Sequence, residues 1–398
     1  MPTTPEAPGP HRDRATTARR AADALDAARP RLASLAALVG FDGFIDSIVH
    51  MVDVRHDMSP TGYTRLSTIP DFARRCADAA GKSTNIEQVL LDERFGGNGP
   101  LMAGALGALG VPVDFVGAVA SPDHPGHVHP VFRAFAERCR RVVPVAPPSH
   151  TLCLEFDDGK LMFNNTASVQ AVTWDTAARA AGPGVLESLA RDADLIGVVN
   201  WSLMGGVPGI FRALCERLAA APSRPGQRIY IDLSDPAKRT DLDLAECLGD
   251  LTSLSAARPL TLGLNLAESQ RISRVAGAGA YQRGQGPDDI IDAASRLRER
   301  LGLDTVVIHP REGAAAADPS GAAWFSGPFT PTPALSTGAG DHFNAGFALA
   351  RALGLPLPES LAAATAVSGA YVRDAQSPTL DRLTAFLRDL PECHAAAP

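Results

Sequence analysis

Ser336-Thr337-Gly338-Ala339-Gly340-Asp341-His342-Phe343-Asn344-Ala345-Gly346-Phe347 is the stretch from which the rest of the chain is read. It follows an extended segment punctuated by Pro331 and Pro333 and leads into a strongly helical run, residues 344–353. Gly338 and Gly340 let the backbone turn tightly and leave no side chain between the amides and a ligand. The first N–H groups of the helix lack intrahelical partners and sit at the positive end of its dipole. That makes an anion hole, with one carboxylate, Asp341, at its rim. Phosphate accounts for the amides. A carboxylate repels phosphate, so Asp341 calls for a proton to remove. The competing reading is a glycine-rich helix entry with Asp341 as its cap, and this stretch alone leaves the two level.

The remaining pattern is that of an α/β protein. Apolar runs at 35–41, 113–119, 195–199, 229–233, 260–264 and 305–308 read as buried strands. Helical patterns at 207–220, 244–256, 266–275 and 288–301 separate the later ones, which predicts a mainly parallel sheet covered on both faces. Residues 70–80 and 84–91 read as helices, as do 358–371 and 381–390 near the C-terminus. Asp157-Asp158-Gly159 between 151–156 and 160–164 is a hairpin signal, and a hairpin in such a pattern predicts an added flap.

Polar groups gather just past the strands, where open parallel sheets place ligands. Asp42 and Asp46 follow the first strand, Asn200 and Asp232 later ones, and Asn265 with Glu268 another. The latter pair suits Mg²⁺ through its water shell and equally suits a capping box. Gly96-Gly97-Asn98 opens a helix at 101–109 and reads as a ligand-facing turn or as an Asn cap. Gly81-Lys82-Ser83 is not a phosphate-binding loop, because Cys76 stands where a glycine is required. His124, His127 and His129 lack flanking acids at ligand spacing, so a solvated loop is the default over a metal site.

The 398 residues carry a formal net charge of -7 spread along the chain, which provides no basic footprint for nucleic acid. Six scattered cysteines without a C-x-x-C pair read as reduced thiols. No apolar run is long enough for a membrane span, and residues 1–30 lack a signal core, so a cytoplasmic protein without membrane partners is expected. Within 1–30, the first ten residues are expected to be disordered and 13–29 to form a solvent-exposed helix. Residues 391–398 read as a flexible tail.

Four blocks in order resemble the ribokinase-like (PfkB) carbohydrate kinases: 40–46, Gly96-Gly97-Asn98, Asn265-x-x-Glu268 and Thr337-Gly338-Ala339-Gly340-Asp341. The resemblance covers about 300 residues. It implies a three-layer α/β/α kinase domain at 31–390 with a small β-rich lid from about 47–68 and 145–170, and an ATP-dependent transfer to a sugar hydroxyl. On that likeness Asp341 is the general base, and Gly338, Ala339 and Gly340 supply the anion-hole amides. Asp46, Asp42, Gly97 and Asn98 bind the acceptor. Thr337, Asn265, Gly313 and Asn344 bind the nucleotide, and Asn265 with Glu268 organises Mg²⁺. Relatives often pair through the lid, which implies a homodimer.

Two departures bear on the ligands. Leu335 and Ser336 stand where relatives carry Asp-Thr, which leaves the usual monovalent-cation site without its carboxylate. His309-Pro310-Arg311-Glu312-Gly313 replaces the family's Thr-x-Gly segment beside the nucleotide. Asp42 and the block from Gly96 to Ala103 also resemble ADP-dependent sugar kinases, so ADP is the alternative donor. A nucleoside is the alternative acceptor, against which the low aromatic content weighs. A non-catalytic sensor of sugar or nucleotide on the same scaffold would have no need of Asp341.

Overall fold

The computed structural model describes residues 13–222, 224–279 and 286–392. In chain order the strands are β1 (Ala37–Phe41), β2 (Phe44–Arg55), β3 (Tyr63–Arg65), β4 (Gln88–Gly96), β5 (Val113–Gly117), β6 (Arg141–Pro144) and β7 (Ser149–Phe156). They continue with β8 (Gly159–Asn165), β9 (Leu195–Val199), β10 (Arg228–Asp232), β11 (Leu260–Leu264), β12 (Thr305–Ile308), β13 (Gly313–Asp318) and β14 (Gly321–Ser326). Nine of them form one sheet in the order β14-β13-β12-β11-β10-β9-β1-β5-β6. From β6 to β12 every neighbouring pair is parallel; β13 and β14 extend it as an antiparallel edge.

Short runs such as Leu195–Val199 and Leu260–Leu264 are buried at every position, because helices cover both faces of the sheet. One face packs against helices Asn98–Ala108, Ala339–Ala352, Leu357–Asp374 and Leu380–Arg388. The other packs against Trp174–Ala181, Val185–Asp192, Val207–Ala220, Asp241–Ala257, Leu266–Ala276 and Pro287–Leu301. Parallel pairing brings the C-terminal ends of β1, β9, β10, β11 and β12 to one edge. Asp42, Asn200, Asp232, Asn265 and His309 sit there.

A second, five-stranded sheet joins β3, β2, β7 and β8, with β4 also paired to β2. Its own small core contains Val49, Met51, Leu66, Leu154 and Phe156. β2 runs on from β1 after only two residues, so this sheet is tethered directly above the strand ends.

Two expectations are corrected. Residues 84–91 are not helical: Gln88–Gly96 is β4, in antiparallel register with β2 from Phe44↔Gly96 to Met51↔Gln88. Val89-Leu90-Leu91 imitates a helical apolar run, and pairing with a neighbouring strand overrides that local signal. β4 also lies outside both segments expected to form the small sheet. Second, the N-terminal helix Arg14–Ala27 is not solvent-exposed, since Ala18, Ala21, Ala22 and Leu25 are buried. Three of those side chains are single methyls, whose low hydropathy hides a close-packing face. Strand β13 has no counterpart among the expectations, because Ala314-Ala315-Ala316-Ala317 carries helix propensity and no alternating strand pattern. The expected disorder of the first ten residues falls outside the described residues, as do residues 393–398 of the expected tail.

Candidate active site

The helix Ala339–Ala352 begins at Gly338, whose φ of 87° is a left-handed conformation that a side chain would strain. The Gly338 and Gly340 amides have no hydrogen-bond partner among the described residues. The Ala339 amide, expected to join them, turns back to the Ser336 carbonyl at 3.3 Å. The loop is the common wall of two cavities. Thr337, Gly338 and Asp341 face one of about 350 Å³, together with Asp46, Asn98 and Asn200. Ser336, Ala339 and Gly340 face the other, of about 390 Å³, with Asn265, His309, Arg311 and Gly313. Both volumes fall in the range of small-molecule sites.

Asp341 is buried, and Asn98 Nδ2 donates to its Oδ1 at 2.8 Å. Burial pushes its carboxyl well above the usual range, and the nearby Asp232 carboxylate pushes in the same direction. A carboxylate so placed is a stronger base than one in water. Asp46, on β2, is also raised by burial, partly offset by a hydrogen bond from Thr151 and by the charges of Arg94 and Lys160. Thr151 and Asn164 face each other across the β7–β8 hairpin, and Asn164 Nδ2 donates to Thr151 Oγ1 at 3.1 Å. A Cβ on Gly96 would lie 2.4 Å from Asp46 Oδ2, so this position must stay bare for the carboxylate to fit.

Asp42 does not reach either cavity, contrary to the expectation that it binds an acceptor. It is fully buried, with Oδ2 accepting from Asn98 N at 2.9 Å and Asn200 Nδ2 at 2.7 Å, and Oδ1 from Gly99 N at 2.7 Å. Burial raises its carboxyl to about 6 against these bonds. Its role is to hold the Asn98 turn and the Asn200 side chain. Asn200 Oδ1 is left buried without a partner in the cavity wall. Asn200 (φ 68°) and Ser234 (φ 60°) both hold left-handed backbones at strand ends in that wall.

Asn344 is likewise corrected. It is fully buried, donating to Asp232 Oδ2 at 2.6 Å and accepting from Tyr230 Oη at 2.6 Å, so it cannot touch a nucleotide. Thr337, expected on the nucleotide side, faces the cavity of Asp46, where Lys160 Nζ donates to its Oγ1 at 2.9 Å. Asn265 and Glu268 form a capping box: Asn265 Oδ1 accepts from Glu268 N, and Glu268 Oε2 accepts from Asn265 N at 2.8 Å. Burial and then Asp232 raise the Glu268 carboxyl well above its ordinary value. Among the described residues no three His, Cys, Asp or Glu side chains stand close enough to hold a metal alone. His129 Nδ1 instead accepts from Val131 N and caps a short turn.

Sequence reasoning missed Thr151, Asn164 and Lys238 in the first cavity, and Lys160, which reaches its Thr337. Lys160 directly follows the Asp-Gly turn of the hairpin, a signal that could have found it. Lys238 sits in a turn after β10 and leaves no such mark.

The family description for prokaryotic ketohexokinases matches residues 13–390. A ketohexokinase from Haloferax volcanii is 31% identical over 375 residues, covering 93% of this chain and 96% of that protein. Among solved structures, an Arabidopsis thaliana ribokinase complexed with ribose and ATP superposes with a TM-score of 0.58 at 17% identity, covering 89% of this chain and 98% of that one. A Thermotoga maritima ribokinase gives 0.58 at 16% identity over 89% and 99%. A nucleoside kinase from Methanocaldococcus jannaschii gives 0.53 at 12% identity over 89% and 98%. The last three share the fold. No helix among the described residues is long and apolar enough to cross a membrane. With a family match over nearly its whole length and a curated relative that it covers almost end to end, the chain belongs to the prokaryotic ketohexokinase family and is a sugar kinase of the ribokinase-like fold.

Proposed function

We propose that this chain transfers the terminal phosphoryl group of ATP to a hydroxyl of a ketohexose, with Asp341 as the general base. One observation carries the reading: the Gly338–Asp341 turn is the wall between two cavities, so nucleotide phosphates and a sugar can meet across it. The relatives named as ketohexokinases support the acceptor class. The ribokinase complexed with ATP supports the donor.

In this reading Asp46 and Asn98 bind sugar hydroxyls, and the orphaned Asn200 Oδ1 accepts from another. Satisfying that atom favours a polyhydroxylated ligand, since a buried acceptor left unmade is costly. Asp341 Oδ2, free of Asn98, takes the proton of the attacking hydroxyl. The amides of Gly338 and Gly340 receive charge on the transferring group, and positioning does most of the catalysis. Burial raises the Glu268 and Asp341 carboxyls and the Asp232 carboxylate raises both further, a field of hard oxygen charge that fits Mg²⁺ held through waters and phosphate. When bound, that ion neutralises charge on the phosphates. The five-stranded sheet acts as the lid, with Lys160 reaching down to Thr337. Val54, Leu90, Leu91, Met162 and Phe163 leave apolar surface exposed on that sheet, which supports pairing of two copies through it.

The test is a coupled assay of donor consumption over ketohexoses, aldohexoses, pentoses and nucleosides, with ATP and with ADP as donors. The expected outcome is highest kcat/KM for a ketohexose with ATP. Preference for a nucleoside, or for ADP, would refute the corresponding half of the proposal.

A further inference from the structure

His342 and Tyr371 are buried behind the catalytic turn, and neither lines a cavity. Their rings stack with centroids 3.5 Å apart and planes 14° from parallel. Tyr371 Oη donates to the Thr337 carbonyl at 2.7 Å. His342 Nδ1 lies 2.8 Å from the Gly338 carbonyl. Two successive carbonyls of the turn are thus drawn to the same stacked pair.

The polarity of the His342 contacts is fixed by its neighbours. A carbonyl only accepts, so Nδ1 carries the hydrogen. The ring is neutral, because burial lowers its pKa to about 4. Nε2 therefore accepts, from Ser377 Oγ at 2.9 Å. Ser377 Oγ in turn accepts from Arg138, a side chain that can only donate. Every hydrogen in the relay runs one way, from Arg138 through Ser377 and His342 to Gly338.

The consequence follows from peptide planarity. In a trans peptide the N–H points opposite to the carbonyl of the same unit. Both peptides here are trans. Holding the Thr337 carbonyl toward Tyr371 turns the Gly338 N–H to the other side, and that amide has no partner of its own. Holding the Gly338 carbonyl fixes the next peptide, whose Ala339 N–H closes the turn onto Ser336. We infer that His342 and Tyr371 are positioning residues of the anion hole: acting on the carbonyls from behind, they aim the Gly338 amide at the transferring phosphoryl group. The inference rests on the proposed phosphoryl transfer. It assigns work to two side chains that touch neither substrate.

The experiment compares full-length wild type with His342→Leu, His342→Asn and Tyr371→Phe by steady-state kinetics, and reads the His342 tautomer by ¹⁵N NMR. His342→Leu and Tyr371→Phe are expected to lower kcat on the order of 10- to 100-fold, the cost of misplacing reacting groups, with acceptor KM changed less than about 3-fold. His342→Asn is expected to recover most of the loss, since its Nδ2 occupies the place of the imidazole Nδ1. A structural role alone would give no such recovery. Near neutral pH the spectrum should show His342 uncharged with its hydrogen on Nδ1. Unchanged kcat in both His342→Leu and Tyr371→Phe, or a hydrogen on Nε2, would overturn the inference. If His342→Leu does not fold, Tyr371→Phe, which deletes one oxygen from an otherwise intact ring, decides the kinetic question. Absence of sugar turnover in the wild type would instead refute the proposed function, and the tautomer would then decide the clamp by itself.

Discussion

Replacing Asp341 with Asn separates base chemistry from binding, and the hydrogen bonds around it set the size of the effect. Asn98 Nδ2 donates to Asp341 Oδ1 at 2.8 Å. Asp42 accepts from the Asn98 amide at 2.9 Å and holds the turn that carries it. In Asp341→Asn the new side chain must therefore offer its carbonyl to Asn98 and place its NH₂ where Oδ2 stood. The acceptor hydroxyl still finds a hydrogen-bond partner there, but one that donates and cannot take a proton. General-base catalysis is worth about 10²- to 10⁴-fold. We expect kcat to fall roughly 10³-fold, or about 4 kcal/mol in activation free energy, with acceptor KM nearly unchanged. Coupled detection of nucleotide product at saturating substrates measures both constants. The wild type should also show kcat/KM rising with pH as Asp341 loses its proton, through a pKa raised by burial and Asp232. That limb should vanish in the variant. A variant with kcat within about tenfold of wild type would refute the assignment of the base.

Asp46→Ala should raise acceptor KM by about tenfold, the worth of roughly one hydrogen bond to a charged group, and an unchanged KM would remove Asp46 from the sugar site. Gly96→Ala should do the same with Asp46 intact, because its methyl would lie 2.4 Å from Asp46 Oδ2 and must displace it; wild-type KM would show that the carboxylate position is immaterial. Asp42 carries a testable pH signature. Its carboxyl rises from 3.8 to about 6 on folding, so its stabilising proton is fully bound below the unfolded value and lost as pH climbs through the folded one. Urea unfolding should show wild type losing up to roughly 3 kcal/mol relative to Asp42→Asn between about pH 4 and pH 7. A pH-independent difference would show that Asp42 does not titrate in this range.

The sheet was legible because its parallel strands are uninterrupted apolar runs, a pattern that local sequence records. The grouping of Asp46, Asn98 and Asp341 was legible because each follows a glycine or a strand end where ligands collect. What escaped was set by partners distant in sequence. Val89-Leu90-Leu91 became β4 only because β2 lies beside it. The family likeness put Asn344 at the nucleotide, but Asp232 and Tyr230 claim it from a neighbouring strand. Asp42 looked like an acceptor ligand until Asn98, Gly99 and Asn200 filled its oxygens. Hydrogen-bond capacity does not reveal who will use it.

The packing of Arg14–Ala27 has a consequence for how the chain is made. This helix rests on Leu380–Arg388: Arg388 pairs with Asp23 and Asp26, and Arg29 with Asp381. Its first arginine also reaches the Pro391 carbonyl. On the ribosome this helix must wait for partners that follow it by 362 and 365 residues, with its alanine face uncovered in between. A contact between segments so far apart in sequence forms only after the intervening chain has been made, so this helix closes late.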